Sequence, residues 1–429
     1  MRLSPSRRDV LLGLAAGGFA ALAPRAEEAA PHLVEAPHVT DAPVAEPLAA
    51  RQRVPFHGLH QAGITTPRPE NGLIASFDVA ATSIDDLERM LRLLTDRARL
   101  LTQGGPVPDL DPALPPADSG LLGPVVMPGN LTITVGLGAS LFENLPWLAG
   151  LKPAKLQRMA QFPNDALEAD SCHGDLSIQF CANLQDTNLH ALRDIVKNLS
   201  EFLVLRWMVE GNVPPVIPDA NGATPSARNF LGFRDGSANP DSNDAALMDR
   251  VVWTTAPDEP AWARDGSYQV VRIIRNMVER WDRTPLAEQE RIFGRRKMSG
   301  APLDGGPDAT EHDAPDYAAD PEGRATPLDA HIRLSNPRDA QSPRNLILRR
   351  AFNYSRGALK NGQLDQGLLF ICYQADLEAG FITVQNRLNG EPLEEYIKPV
   401  GGGYFFALPG VRDDADYLGR ALVDAARRT

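Results

Sequence analysis

The sequence predicts an α+β fold built from two ferredoxin-like domains, a β-α-β-β-α-β plan used twice. Three observations predict it. Stretches of period-two apolar alternation, the mark of half-buried strands, are interleaved with stretches whose apolar residues recur every three or four positions, the mark of amphipathic helices. The two kinds of stretch follow one another in the same order in each half of the chain. The third-strand segments of the halves, LSIQFCANLQD and GLLFICYQADL, also share one pattern, as an ancient duplication would leave.

In the first half, residues 71–80 (NGLIASFDVA) have strand character. Ser83, with Asp86 three residues on, makes a capping-box-like helix start. Ile84, Leu87, Leu91, Leu94, Ala98 and Leu101 then place one face of that helix in a core. Residues 131–138 and 176–183 alternate as strands, residues 188–199 carry Leu189, Leu192, Val196 and Leu199 along one helical side, and residues 202–209 (FLVLRWMV) close the unit. In the second half the order returns as a strand at 267–275, a helical stretch at 286–293, strands at 346–354 and 367–373, a helix at 376–388 and a last strand at 403–408. The Pro-rich stretch 212–218 sets the boundary near residue 215. That gives an N-terminal domain over 53–215 and a C-terminal domain over 216–429, each a four-stranded antiparallel sheet with helices on one face. Residues 300–330, rich in Asp, Gly, Ala and Pro, hold no element; a stretch of that length inside a domain is usually functional or mobile, and it leads into His331.

Residues 1–29 read as an export signal. Ser6-Arg7-Arg8-Asp9-Val10-Leu11-Leu12 is a twin-arginine motif, and the Ala/Gly-rich run to Ala23 is shorter than the ~20 residues of a permanent span. Residues 30–52, rich in Ala, Pro and Glu, read as a disordered linker. The twin-arginine route carries folded proteins, so this signal points to the periplasm and to a cofactor inserted before export. A net charge of −12 argues against nucleic acid as partner, because no basic excess exists to neutralise phosphates. The cysteines, Cys172, Cys181 and Cys372, form no C-x-x-C string, which disfavours covalently attached haem and a Cys-built zinc site. Cys181 and Cys372 sit in apolar runs and read as buried small side chains; a Cys172–Cys181 disulfide has no further support.

The chemistry concentrates in Asn229-Phe-Leu-Gly-Phe-Arg-Asp-Gly-Ser-Ala-Asn-Pro240, where Asp235 stands between Gly232 and Gly236. Alone, this reads as an Asp-Gly turn, or as a carboxylate held over a flat ligand that lies against glycine backbone. Downstream, HIRLSNPR offers the lone His331 in a polar, Pro-broken segment, and Arg349 lies in an apolar run ending at Arg350. Neighbours on a strand face opposite ways, and alternation does not say which arginine meets a ligand. His57 and His60 have a spacing that could hold a metal but lack carboxylate company.

An acid, an arginine and a lone histidine in these contexts resemble the haem site of the dye-decolourising peroxidases. The string GFRDG matches that family's GxxDG motif, and HIRLSNPR, LILRR, GQLDQGLLFICYQADLEAGF and GGGYFFALPG resemble, in order, its twin-arginine-exported deferrochelatase/peroxidase branch. The resemblance implies the same fold, with a haem pocket in the C-terminal half and one non-covalent haem b per chain. It implies His331 as the axial iron ligand, Asp235 as the distal acid–base group, and Arg349 as the charge that stabilises the departing oxygen. It also implies haem contacts from Gly236, Ser237 and Ala238 and from Asn336, Pro337 and Arg338, with Arg338 near a propionate. Asp365, opening the GLLFICY strand, is a candidate acceptor for the proximal imidazole N–H. Trp253, Trp281, Tyr354 and Tyr373 are oxidisable aromatics available for radical relay.

The function so implied is reduction of H2O2 with one-electron oxidation of small organic reductants. Added to it is release of iron from haem, tetrapyrrole intact, for an iron-uptake system, by a periplasmic homodimer. The alternative is a periplasmic haem-binding carrier without turnover; Asp235 and Arg349 separate the two, because a carrier needs no distal acid and base.

Overall fold

The structure, a computed structural model, describes residues 48–108, 111–214 and 225–429. The predicted export signal, the linker up to residue 47 and the boundary near 215 lie outside the described residues.

Strands β1 (Asn71–Val79), β2 (Thr132–Gly138), β3 (Leu176–Ala182) and β4 (Leu203–Asn212) come from the first half. Helices α1 (Ile84–Gln103) and α2 (Gln185–Asn198) connect them in the predicted β-α-β-β-α-β order. The Ser83 hydroxyl caps α1 by accepting the Asp86 N–H at 3.1 Å. Leu87, Leu91, Leu94, Ala98 and Leu101 of α1 are buried against Leu73, Ala75 and Phe77 of β1, so the helical spacing read from the sequence is the packing spacing.

The second half supplies β5 (Ser267–Asn276), helix α3 (Leu286–Phe293), the one-turn helix α4 (His331–Ser335), β6 (Leu348–Arg349), β7 (Phe352–Ala358), β8 (Leu364–Gln374), helix α5 (Thr383–Leu388) and β9 (Ile397–Ala407). The predicted strand at 346–354 is therefore two short strands. β6 pairs with β8 at Cys372 and Tyr373, whereas β7 pairs with β8 between Leu364 and Leu369, and the chain steps between the two registers at Arg350 and Ala351. The predicted helix at 376–388 is also broken: at Gly380 the backbone leaves helical values (φ −79°, ψ −106°), and a wide turn over Glu378–Ile382 precedes α5.

The nine strands run β5-β9-β2-β3-β1-β4-β7-β8-β6, and β8 pairs back onto β5. The two four-stranded sheets of the predicted fold are thus joined edge to edge into a ring. One seam is β9 on β2, from Phe405↔Gly138 to Ala407↔Gly136; the other is the single pair Asn212↔Asn353 between β4 and β7. One buried apolar cluster draws on both halves: Ile74, Cys181 and Val209 from the first, and Val271, Phe352, Leu369, Ile371 and Phe405 from the second. All of the cysteines are free and buried, as small apolar side chains. Among the described residues, no helix is long and apolar enough to cross a membrane.

Phe405 is fully buried in that shared cluster, on the strand that pairs with both β5 and β2. Phe405→Ala is expected to cost about 3–5 kcal/mol. It should lower the midpoint of a single denaturant transition; two separated transitions would show that the halves unfold independently.

Candidate active site

The Asp235 loop is built by its own short-range bonds. The Asn229 side chain accepts the Leu231 and Phe233 N–H groups at 3.1 and 3.2 Å, and the Asp235 N–H donates to the Ala227 carbonyl at 2.8 Å. Gly232 and Gly236 both take positive φ, +87° and +144°, which a side chain would strain. Phe233 stacks on Phe293 of α3 at 4.0 Å, and the Trp281 indole N–H donates to the Leu231 carbonyl at 2.8 Å, so the loop rests on an aromatic floor. From it the Asp235 carboxylate meets Arg349 Nη1 at 2.6 Å. Arg350 points elsewhere, donating to the Thr66 carbonyl, while Arg68 donates to the Ala351 carbonyl. The structure thus decides which arginine of the pair faces the acid.

His331 opens α4. Its Nδ1 lies 2.7 Å from Glu391 Oε2, and the Glu391 side chain is only 3 % exposed. Burial disfavours the charged imidazole, but the charge of Glu391 and its hydrogen bond outweigh that, and the His331 pKa is raised. Glu391 follows α5, its N–H bonded to the Leu388 carbonyl at 3.1 Å. Arg333 pins α4 to the preceding loop through the carbonyls of Thr326 and Asp320, both at 2.8 Å.

Asp365 is not the imidazole's partner. Its carboxylate pairs with Arg356 at 3.2 Å and with the Tyr354 hydroxyl at 3.4 Å. The reason is strand parity: Leu368 and Phe370 of β8 line the cavity, and Asp365 is out of phase with them. Glu391 carried no sequence signal, since it is one of several carboxylates in the turn Gly390-Glu-Pro-Leu-Glu-Glu395.

Asp235, His331 and Arg349 line one cavity of ≈ 1880 Å³, open mouth included. Gly236, Ser237, Ala238, Asn336 and Arg338 line it as well; Pro337 does not. Arg338 holds φ at +57° and makes no salt bridge among the described residues. The loop at 300–330 does reach the cavity, through Gly300, Pro315 and Tyr317. It also contributes Glu311, a second residue the sequence did not single out. This buried carboxylate accepts the Ser237 hydroxyl at 2.8 Å and the Ser226 N–H at 2.9 Å, holding the Asp235 loop from behind. The predicted relay aromatics Trp253, Trp281, Tyr354 and Tyr373 are all buried, and none of them lines the cavity.

A family model described as "Dyp-type peroxidase, N-terminal" matches residues 61–212, and one described as "Dyp-type peroxidase, C-terminal" matches residues 226–412. A protein named deferrochelatase from Escherichia coli O157:H7 is 54 % identical over 423 residues, spanning 98 % of this chain and 97 % of that protein. A protein of the same name from Shigella sonnei is 53 % identical over the same shares. Among solved structures, a DyP-type peroxidase from Streptomyces coelicolor is 34 % identical with a TM-score of 0.78, over 89 % of this chain and 100 % of that one. Ferric DtpA from Streptomyces lividans is 34 % identical with a TM-score of 0.77, again over 89 % and 100 %.

Burial raises the pKa of Glu311, but the bonds from Ser226 and Ser237 and the nearby Arg234 outweigh it and leave that pKa lowered. A depressed folded value means that Glu311 stabilises the loop above the ordinary carboxylate pKa of ~4.3, and that this support is lost as pH falls through the lower folded value. Protection of the Asp235 amide, read as its exchange rate relative to the intrinsic rate at each pH, should therefore fall across that acid window. In Glu311→Gln the acid-dependent step should vanish; a step of unchanged size would assign it to another group.

Proposed function

This chain belongs to the Dyp-type peroxidase family, and on that premise we propose that it is a haem peroxidase that also releases iron from haem with the tetrapyrrole left intact. The observation that carries the reading is the convergence on one cavity of an imidazole whose Nδ1 is already engaged and of a carboxylate–guanidinium pair.

The residues fit a haem. His331 keeps Nε2 for the iron while Glu391, at Nδ1, fixes the ring and strengthens it as a ligand. The small residues Gly236, Ser237 and Ala238 let a flat macrocycle approach backbone, and Arg338 is available to a propionate. When bound, haem would supply the redox-active metal centre through which the oxidising equivalents of H2O2 reach a donor. Asp235 would take a proton from one oxygen of H2O2 and return it to the other. Arg349, 2.6 Å from Asp235, stabilises the negative charge that builds on the departing oxygen. A carrier without turnover would use His331 alone, so the Asp235–Arg349 pair favours an enzyme. Iron release is supported by the 54 % identity to a protein named deferrochelatase.

The reading extends to one non-covalent haem b per chain, held by a domain over 216–429 that follows an N-terminal domain over 53–215. It extends also to twin-arginine export to the periplasm, a homodimer, and delivery of iron to an uptake system. The motif at residues 6–12 and the family resemblance support these parts.

Asp235→Asn is expected to keep the Soret band and to react with H2O2 about 100-fold more slowly or worse; a variant as fast as the parent removes the acid–base role. His331→Ala should lose the Soret band of the haem-loaded protein. Incubation with haem should yield the fluorescence of metal-free protoporphyrin, and its absence under both reducing and oxidising conditions would discard iron release.

A further inference from the structure

One side chain ties the loop of Asp235 to the strand of Arg349. Asn239, in the same loop as Asp235, accepts the Arg349 main-chain N–H at Oδ1 (2.8 Å) and donates from Nδ2 to the Arg349 carbonyl (3.0 Å). On this side of β6 no further strand is present among the described residues, and the carboxamide does what a neighbouring strand would do for both main-chain groups. Asn239 is itself held, its N–H bonded to the Gly236 carbonyl at 2.9 Å. The Arg349 guanidinium then returns to Asp235 at 2.6 Å, which closes a circuit from acid through loop, carboxamide and strand back to the acid.

We propose that Asn239 is a positioning residue for the Asp235–Arg349 pair. The proposal rests on the peroxidase reading above. An arginine side chain is long and has many rotamers, so a guanidinium keeps a fixed place only when its main chain is fixed too. Asn239 supplies that fixity from the very loop whose carboxylate must be met. It touches neither peroxide nor haem in this role; it sets the separation of the two groups that do.

The test uses the full chain with and without haem. Asn239→Ala removes both bonds; Asn239→Asp keeps the acceptor and loses the donor. In haem-free protein, Asn239→Ala should speed amide exchange at Arg349. In haem-loaded protein it should leave haem affinity by Soret titration unchanged and slow the reaction with H2O2 by about 10–100-fold, the loss expected for a misplacement near 1 Å. Asn239→Asp should fall between. Added to Arg349→Ala, Asn239→Ala should slow the reaction by no more than about twofold, because groups acting through one another are not additive. A rate equal to wild type in either single variant overturns the proposal, and so does a full multiplicative loss in the Arg349→Ala background. If Asn239→Ala does not fold, the rate of Asn239→Asp alone decides. A wild-type protein that binds haem yet ignores peroxide overturns the peroxidase reading itself, whereas a reactive wild type matched by its variants overturns only the role of Asn239.

Discussion

The bond between His331 and Glu391 is the constraint on which the site depends. A carboxylate 3 % exposed is unfavourable unless it is paired, and the imidazole is its partner. The pairing holds the ring so that Nδ1 is committed and Nε2 is left for the cavity. It joins the one-turn helix α4 to the turn after α5, so His331 is fixed by two elements rather than by a loop alone. On the acid side the logic is the same: Asp235 is not left to its own turn but is held by Arg349 in front and, through Ser237, by Glu311 behind.

Both arrangements lean on the sheets. β8 presents Leu368 and Phe370 to the cavity while Leu369 and Ile371 enter the apolar cluster shared by the two halves. A strand with one face in each environment makes the cavity wall as stiff as the core behind it.

Much of this was legible in the sequence, and the limits follow from what periodicity encodes. Amphipathic spacing gave α1 almost residue for residue, and motif context gave Asp235, His331 and Arg349, which the structure brings to one cavity. Asp365 failed because the choice rested on proximity in a motif, whereas the face a residue occupies is set by strand parity. Glu391 was invisible because its partner is sixty residues away in the chain and nothing local marks which acid of a turn will be buried. The break at Arg350 and Ala351 was invisible for a related reason: it arises from two pairing registers on β8, a property of the partner strand and not of the apolar run itself. The family resemblance supplied what local pattern lacked, namely which of two adjacent arginines turns toward the acid.

The reciprocal reach of Arg68 to the Ala351 carbonyl and of Arg350 to the Thr66 carbonyl has a bearing on the chain's ancestry. Segment 66–68 belongs to the N-terminal half, yet it laces the ends of the strand break beside Arg349. If the halves descend from one ancestor, the first copy serves as a splint for its sibling. Each copy's arginine thus closes on the other copy's main chain at the place where the strand beside Arg349 is interrupted.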